Sequence, residues 1–197
     1  MKRYRLCRTF VAAFISLFLI SCAAVEPLPN FFLLSNASAG KVRSGKAGGV
    51  GVFVRRVDVL AYLAQGRLVT MKGGIQVDYA TSARWAEPLD QGVARAVAED
   101  LGRNPRIRAY GFSPGAAPMD HQYEVWIRLE RFEGTDGGEV ILRGHWAVST
   151  ADSSTPIAGR TFDIRRHRWQ PGDYPGLVRL LSAEIAEMSK EIARAIP

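Results

Sequence analysis

The chain has 197 residues, with 26 Lys and Arg against 19 Asp and Glu and a formal charge of +7. Four of the positive residues (Lys2, Arg3, Arg5, Arg8) and none of the acids lie in Met1–Ser21. The remainder therefore carries 22 against 19, or +3, an ordinary balance that gives no ground for nucleic-acid binding. The cysteines are Cys7 and Cys22, so everything after residue 22 is without a disulfide, a thiol nucleophile or a thiolate metal ligand.

The basic start runs into an apolar segment, Phe10–Ile20, and then Leu19-Ile20-Ser21-Cys22. A charged n-region, a short apolar h-region and a small residue before the cut mark a secretory signal over residues 1–21. The apolar run is shorter than the ~20 residues a membrane span needs. Its end resembles a bacterial lipobox, in which Cys22 receives a diacylglyceryl group and becomes the first residue of the mature protein. A general signal peptide with an incidental cysteine, or an uncleaved anchor, is the plainer alternative. No better Ala-x-Ala site precedes a folded segment, so acylation of Cys22 is the expectation.

Residues 22–49 are rich in Ala, Ser, Gly and Pro and read as a tether. One apolar cluster interrupts them, Phe31-Phe32-Leu33-Leu34. It is expected to dock on the domain as a short strand or plug; packing against a neighbouring subunit or the membrane surface is the alternative.

The domain, 50–197, begins with a strand over Val50–Val59. A second strand, Arg67–Met71, turns at Gly73-Gly74 into Ile75–Tyr79. Leu89, Val93, Val97 and Leu101 form the stripe of a first helix, with Pro88 in its first turn and Gly102 as its stop. Arg106–Tyr110 is a short strand. Tyr123, Val125, Ile127 and Leu129 share one face of the next, opposite Glu124, Trp126, Arg128 and Glu130. Val140, Leu142, Trp146 and Val148 alternate in its partner, and Arg160–Arg168 forms the last strand. Asp173 caps a closing helix with Leu177, Leu181, Ile185, Met188, Ile192 and Ile196 in one stripe. Glu184, Glu187, Lys190, Glu191 and Arg194 take the other side. Two one-sided helices and this set of strands predict an α+β fold, a two-layer sandwich of a mainly antiparallel or mixed sheet with two packed helices.

Candidates for catalysis are poor. His121, His145 and His167 have no metal-ligand spacing, and no GxSxG, SxxK or HExxH motif occurs. The glycine pairs lack a P-loop lysine. Asp120 and His121 could form an acid–base pair, but no nucleophile accompanies them. The basic run Arg165-Arg166-His167-Arg168 reads as a solvated strand end, with a headgroup or partner contact as the alternative. No enzyme, metal or cofactor is expected apart from covalent lipid at Cys22.

The segment Arg84-Trp85-Ala86-Glu87-Pro88-Leu89-Asp90-Gln91-Gly92-Val93-Ala94-Arg95 resembles the RWAEPL-(D/E)-x-G-(I/V)-x-R stretch of the PqiC-type ABC-transport auxiliary lipoproteins. Phe31-Phe32-Leu33-Leu34-Ser35 is similar to that family's Tyr-Tyr-x-Leu-Ser segment. Val59-Leu60-Ala61-Tyr62-Leu63 with Leu68-Val69-Thr70, and Arg131-Phe132-Glu133-Gly134 with Gly138-Glu139-Val140 and Trp146, follow in the family's order. Leu60 stands where a proline is usual, and Phe31 and Phe32 lack the two hydroxyls. Physically, Trp85 suits a wedge between helix and sheet, and Arg84, Glu87 and Arg95 a charged, hydrogen-bonded staple; partner contact is the alternative.

The resemblance implies a periplasm-facing, non-enzymatic lipoprotein whose partners are a mammalian-cell-entry (MCE) membrane protein and its ABC transporter. Ala23, in place of the aspartate that retains lipoproteins in the inner membrane, points to the outer one. A symmetric ring of copies around a tubular partner is compatible with that role. A lipid carrier holding acyl chains between sheet and helix is the alternative function.

Overall fold

A computed structural model describes residues 28–35, 49–115, 119–153, 155–167 and 169–197. Cys22, Ala23 and the signal segment lie outside the described residues. In chain order the elements are β1 (Asn30–Phe32), β2 (Val50–Val54), β3 (Asp58–Val59), a 3-10 turn (Leu63–Gln65), β4 (Arg67–Lys72), β5 (Gln76–Trp85) and α1 (Leu89–Leu101). Then come β6 (Ile107–Gly111), β7 (Tyr123–Thr135), β8 (Glu139–Thr150), β9 (Pro156–His167) and α2 (Tyr174–Ala195). The expected α+β layering is present: among the described residues, nine strands form one mixed sheet, with α1 and α2 against it and against each other.

The organising strand is β7. One edge pairs antiparallel with β8 along almost its whole length, from Tyr123 opposite Thr150 to Gly134 opposite Val140, and β9 follows beyond. Its other edge is divided among three short parallel strands: β2 at Val52–Val54, β3 at Asp58–Val59 and β4 at Thr70–Met71. The sheet therefore forks, continuing from β2 to β6 and from β4 through β5 to β1.

Alternation in β7 places Val125, Ile127 and Leu129 in the core, as expected. A register shift between Leu129 and Arg131 then changes the phase. Phe132 takes the inward position, and Arg131 and Glu133 join the face opposite the helices. The helical stripes meet this core: Val93, Val97, Leu101, Leu177, Leu181, Ile185 and Ile192 are all buried. That packing forms the core between helices and sheet.

Several local expectations are corrected. Val50–Val59 is two strands, Val50–Val54 and Asp58–Val59; between them the Arg55 amide still donates to the Val125 carbonyl at 3.0 Å, and the Arg55 and Arg56 side chains pair with Glu124 and Asp90, at 2.9 and 2.5 Å. Pro88 is the cap residue, with ψ 132°, rather than part of the first turn; its carbonyl accepts the amides of Gln91 and Gly92. Gly102 stops α1 in a right-handed conformation, with φ −65°. Glu184, assigned to the solvated side of α2, is buried against β9, where its Oε1 accepts from Arg166 Nε at 3.0 Å. By contrast, the apolar cluster within the segment 22–49 docks on the domain as a short strand, as expected: Asn30–Phe32 pairs in parallel with Ala83–Trp85. Asp173 caps α2 as expected, accepting from the Gly176 amide at 2.9 Å.

Candidate functional site

The segment Arg84–Arg95 lies where β5 turns into α1, and its centre is Arg95. The guanidinium Nη2 donates to Glu87 Oε1 at 2.6 Å and to the Leu34 carbonyl at 2.9 Å, while Nη1 donates to Glu99 Oε1 at 2.8 Å. The bonds to Glu87 raise the Arg95 pKa most; burial opposes them and Glu99 reinforces them. Gly92 makes room for this arrangement, since a Cβ there would sit 3.0 Å from Glu87 Oε1. Two further bonds hold the same stretch: Ala86 N–H to the Phe32 carbonyl at 2.8 Å and Ser35 N–H to Ser182 Oγ at 3.3 Å. The expected Glu87–Arg95 staple thus exists, and its task is to fasten β1 to both helices.

Other members of that motif play different parts. Leu89 is buried, and Trp85 is buried against Phe132, with ring centroids 5.9 Å apart. Arg84 stands outside the staple: its Nε is buried with no hydrogen-bond partner among the described residues. The reason is register. Arg84 is a strand residue opposite Arg67 and Phe31, whereas Glu87 and Arg95 belong to the turn and the helix.

Sequence reasoning missed a second polar centre. Glu133 is 0 % exposed. Its oxygens accept from Arg131 Nε at 2.5 Å, Tyr62 Oη at 2.8 Å and the Phe132 amide at 2.9 Å. Tyr62 Oη also lies 3.0 Å from the Glu130 carbonyl, and Tyr79 Oη donates to the Tyr62 carbonyl at 3.1 Å. Burial, and then the Glu133 carboxylate, push the Tyr62 phenol well above its ordinary pKa. The signal was present in the two motifs containing Tyr62 and Glu133. The alternation read from the sequence ended at Leu129 and Glu130, before the bulge that sets the facing of Glu133.

On the face away from the helices, Phe53, Tyr110 and His121 form an aromatic group, with Phe53 and Tyr110 stacked at 5.2 Å. His121 Nδ1 lies 2.8 Å from both Tyr110 Oη and the Met119 carbonyl, and Nε2 lies 3.2 Å from Glu124. These contacts occupy both ring nitrogens with groups other than Asp120, so the imagined Asp120–His121 pair is not formed. Arg55 lies over Trp126 at 3.8 Å while bonding Glu124 at 2.9 Å. Burial pushes the Glu124 carboxyl up, but the bonds from Arg55 and His121 outweigh it and hold the pKa below the usual range.

An open groove of about 510 Å³ runs between α1 and β6, bordered by Glu87, Arg95, Glu99, Arg108 and Tyr110. In the basic run, Arg165 pairs with Asp163 and Arg166 with Glu184. Among the described residues, no group of three or more His, Cys, Asp or Glu side chains is placed to hold a metal, and no helix is long and apolar enough to cross a membrane. The motif residues build internal staples, and the remaining surface offers grooves and strand edges.

Comparison with known proteins agrees with this picture. Residues 32–193 match the family model described as the ABC-type transport auxiliary lipoprotein component. The chain is 24% identical to the intermembrane transport lipoprotein PqiC of Escherichia coli (strain K12) over 184 residues, covering 91% of this chain and 94% of that one. The PqiC of Shigella flexneri gives the same values. Among solved structures, an uncharacterized protein superposes with a TM-score of 0.69 at 22% identity, over 87% of this chain and 100% of that one. A Xanthomonas campestris protein of the DUF330 family gives 0.61 at 15%, over 83% and 92%. These last two likenesses support the fold.

Proposed function

Because the chain belongs to the ABC-type transport auxiliary lipoprotein family, we propose that it is the periplasm-facing lipoprotein of an MCE-type ABC lipid-transport system. It docks the trans-envelope assembly at the outer membrane and supports membrane integrity. The observation that carries this reading is the family match over residues 32–193, together with likeness to PqiC along 91% of the chain. Met1–Ser21 is its export signal and Cys22 its lipid attachment site.

The role is non-enzymatic. Docking needs a rigid, complementary surface, and the Arg95 and Glu133 centres spend their polar groups on internal bonds that rigidify the domain. Acyl chains at Cys22 supply about 0.8 kcal/mol per buried CH₂, so several chains hold the domain at the membrane effectively permanently. Confinement there raises its effective concentration for a membrane-spanning partner.

The test is capture of the anchored protein from cell envelopes. Recovery of an MCE protein and its ABC permease is expected, and recovery of cell-wall synthases alone sinks the transport reading. In parallel, Cys22→Ala should lose labelled-palmitate incorporation and become soluble.

A further inference from the structure

We infer that Leu28, Phe31 and Leu33 form a bilayer-contacting patch, seated at the headgroup–acyl boundary of the membrane that holds Cys22. This rests on the reading that Cys22 is acylated, and goes beyond it by assigning the domain a fixed face toward the lipid.

Of the seven large apolar side chains exposed among the described residues, three fall in this one stretch: Leu28 at 90%, Phe31 at 64% and Leu33 at 52%. Their exposure does not come from a loose segment. β1 is in parallel register with Ala83–Trp85, and the carbonyls of Phe32 and Leu34 accept from Ala86 and Arg95. With this anchoring, side-chain alternation turns Phe32 and Leu34 inward and leaves Phe31 and Leu33 together on the outer side. The sheet thus holds an aromatic and an aliphatic side chain in water, with Leu28 leading into them.

Chain length identifies what covers them. Leu28 follows Cys22 by six residues, which span at most about 22 Å when fully extended. An acylated Cys22 has its thioether at the membrane surface, so this end of β1 is held within that distance of lipid. No other described element is as close in sequence to the anchor. The recess beside Phe31 is bordered by Asn30, Ser82, Ala83, Tyr174 and Pro175, all uncharged, and the charged neighbours in register are Arg84, opposite Phe31, and Arg67 beyond it, cations that suit anionic headgroups. Phe and Leu beside short polar side chains suit the interfacial zone, where apolar groups enter the acyl boundary and polar ones stay hydrated. A second copy could also cover an exposed strand edge, but the short connection places this edge at lipid whether or not copies associate.

The experiment uses the acylated mature protein in vesicles of phosphatidylethanolamine and phosphatidylglycerol, with single substitutions Phe31→Cys, Leu33→Cys and, at the distant and 91% exposed hairpin tip, Ile75→Cys. The Cys22 thioether does not react with maleimides, so each variant has one reactive thiol. A membrane-impermeant maleimide should label positions 31 and 33 at least about tenfold more slowly than position 75, the factor expected from burying one such side chain. Without vesicles, the unacylated Cys22→Ser forms should label at similar rates at all three positions. Emission of Phe31→Trp, measured against the unaltered chain, should be quenched by lipids brominated on their acyl chains. Equal labelling at 31, 33 and 75 in vesicles, with acylation verified by mass, overturns the patch and leaves the anchor standing. Slow labelling without bromine quenching means that a second copy covers the strand, and overturns the proposal. An unmodified Cys22 by mass overturns the anchor reading and the patch together.

Discussion

Arg95 on α1 donates to the carbonyl of Leu34 at 2.9 Å, across 61 residues of chain, and grips Glu87 with the same guanidinium. One side chain thereby closes the turn after β5 and fixes the segment that leads in from the N-terminus. Arg95→Lys keeps the charge but loses the planar fork that reaches both acceptors. Allowing for partial exposure of the pair, its cost is expected to be about 1–2 kcal/mol. The urea midpoint should fall by that equivalent, and limited proteolysis should cut first between residues 28 and 49.

Glu133, fully buried, accepts a hydrogen bond from the partly buried Tyr62 at 2.8 Å. Glu133→Ala strands Arg131, the Tyr62 hydroxyl and the Phe132 amide, with an expected loss of about 3–5 kcal/mol. Tyr62→Phe removes one donor and should cost about 1–3 kcal/mol. Because both changes break the same bond, their effects should be sub-additive in a double-mutant cycle read by chemical denaturation. Strict additivity would refute the coupling.

Gly144 sits in β8 opposite Leu129, beside the bulge, and a Cβ there would collide with the Arg128 carbonyl oxygen. That oxygen is backbone, so the strands must separate to admit the Cβ. Gly144→Ala is expected to destabilise by about 1–3 kcal/mol. The control is Gly74→Ala, where the space is open but φ is +75°; its cost is set by backbone strain alone and should be about 1 kcal/mol. Thermal melts of the two variants should separate accordingly.

Glu124 gives the fold a defined acid sensitivity. Its folded pKa lies below the ordinary 4.5, so the folded state holds the carboxylate ionised more readily than the unfolded chain. The contribution is complete above the unfolded value and is lost as pH falls through the depressed folded one. Stability of the natural chain should therefore decline below about pH 4.5 more steeply than that of Glu124→Gln, with the two curves converging in strong acid. Denaturation midpoints measured across that range test the sign.

Much of the fold is legible in the sequence because it depends on local period and punctuation. The stripes Leu89–Leu101 and Leu177–Ile192 face the core, Asp173 caps α2, and Val125, Ile127 and Leu129 are buried, all as spacing alone requires. The motif segments are legible too, since Glu87, just before α1, and Arg95, within it, meet as a charged pair of the motif suggests. What spacing misses is where the period breaks. The shift after Leu129 moves Glu133 to the opposite face, and the cover over it comes from Tyr62, 71 residues away. Glu184 is polar by position on its helix and buried by the approach of Arg166 from β9.

The sequence by itself determined the facing of the two helices and the family to which the motifs point. These follow from nearest-neighbour chemistry that acts over a few residues. Only the tertiary structure decided that β7 shares one edge among three strands, that Phe31 and Leu33 are held outward while Leu34 is buried, and that Arg84 stays out of the staple expected of it. Each is a matter of register between distant segments, and a shift of one residue turns a side chain from core to solvent.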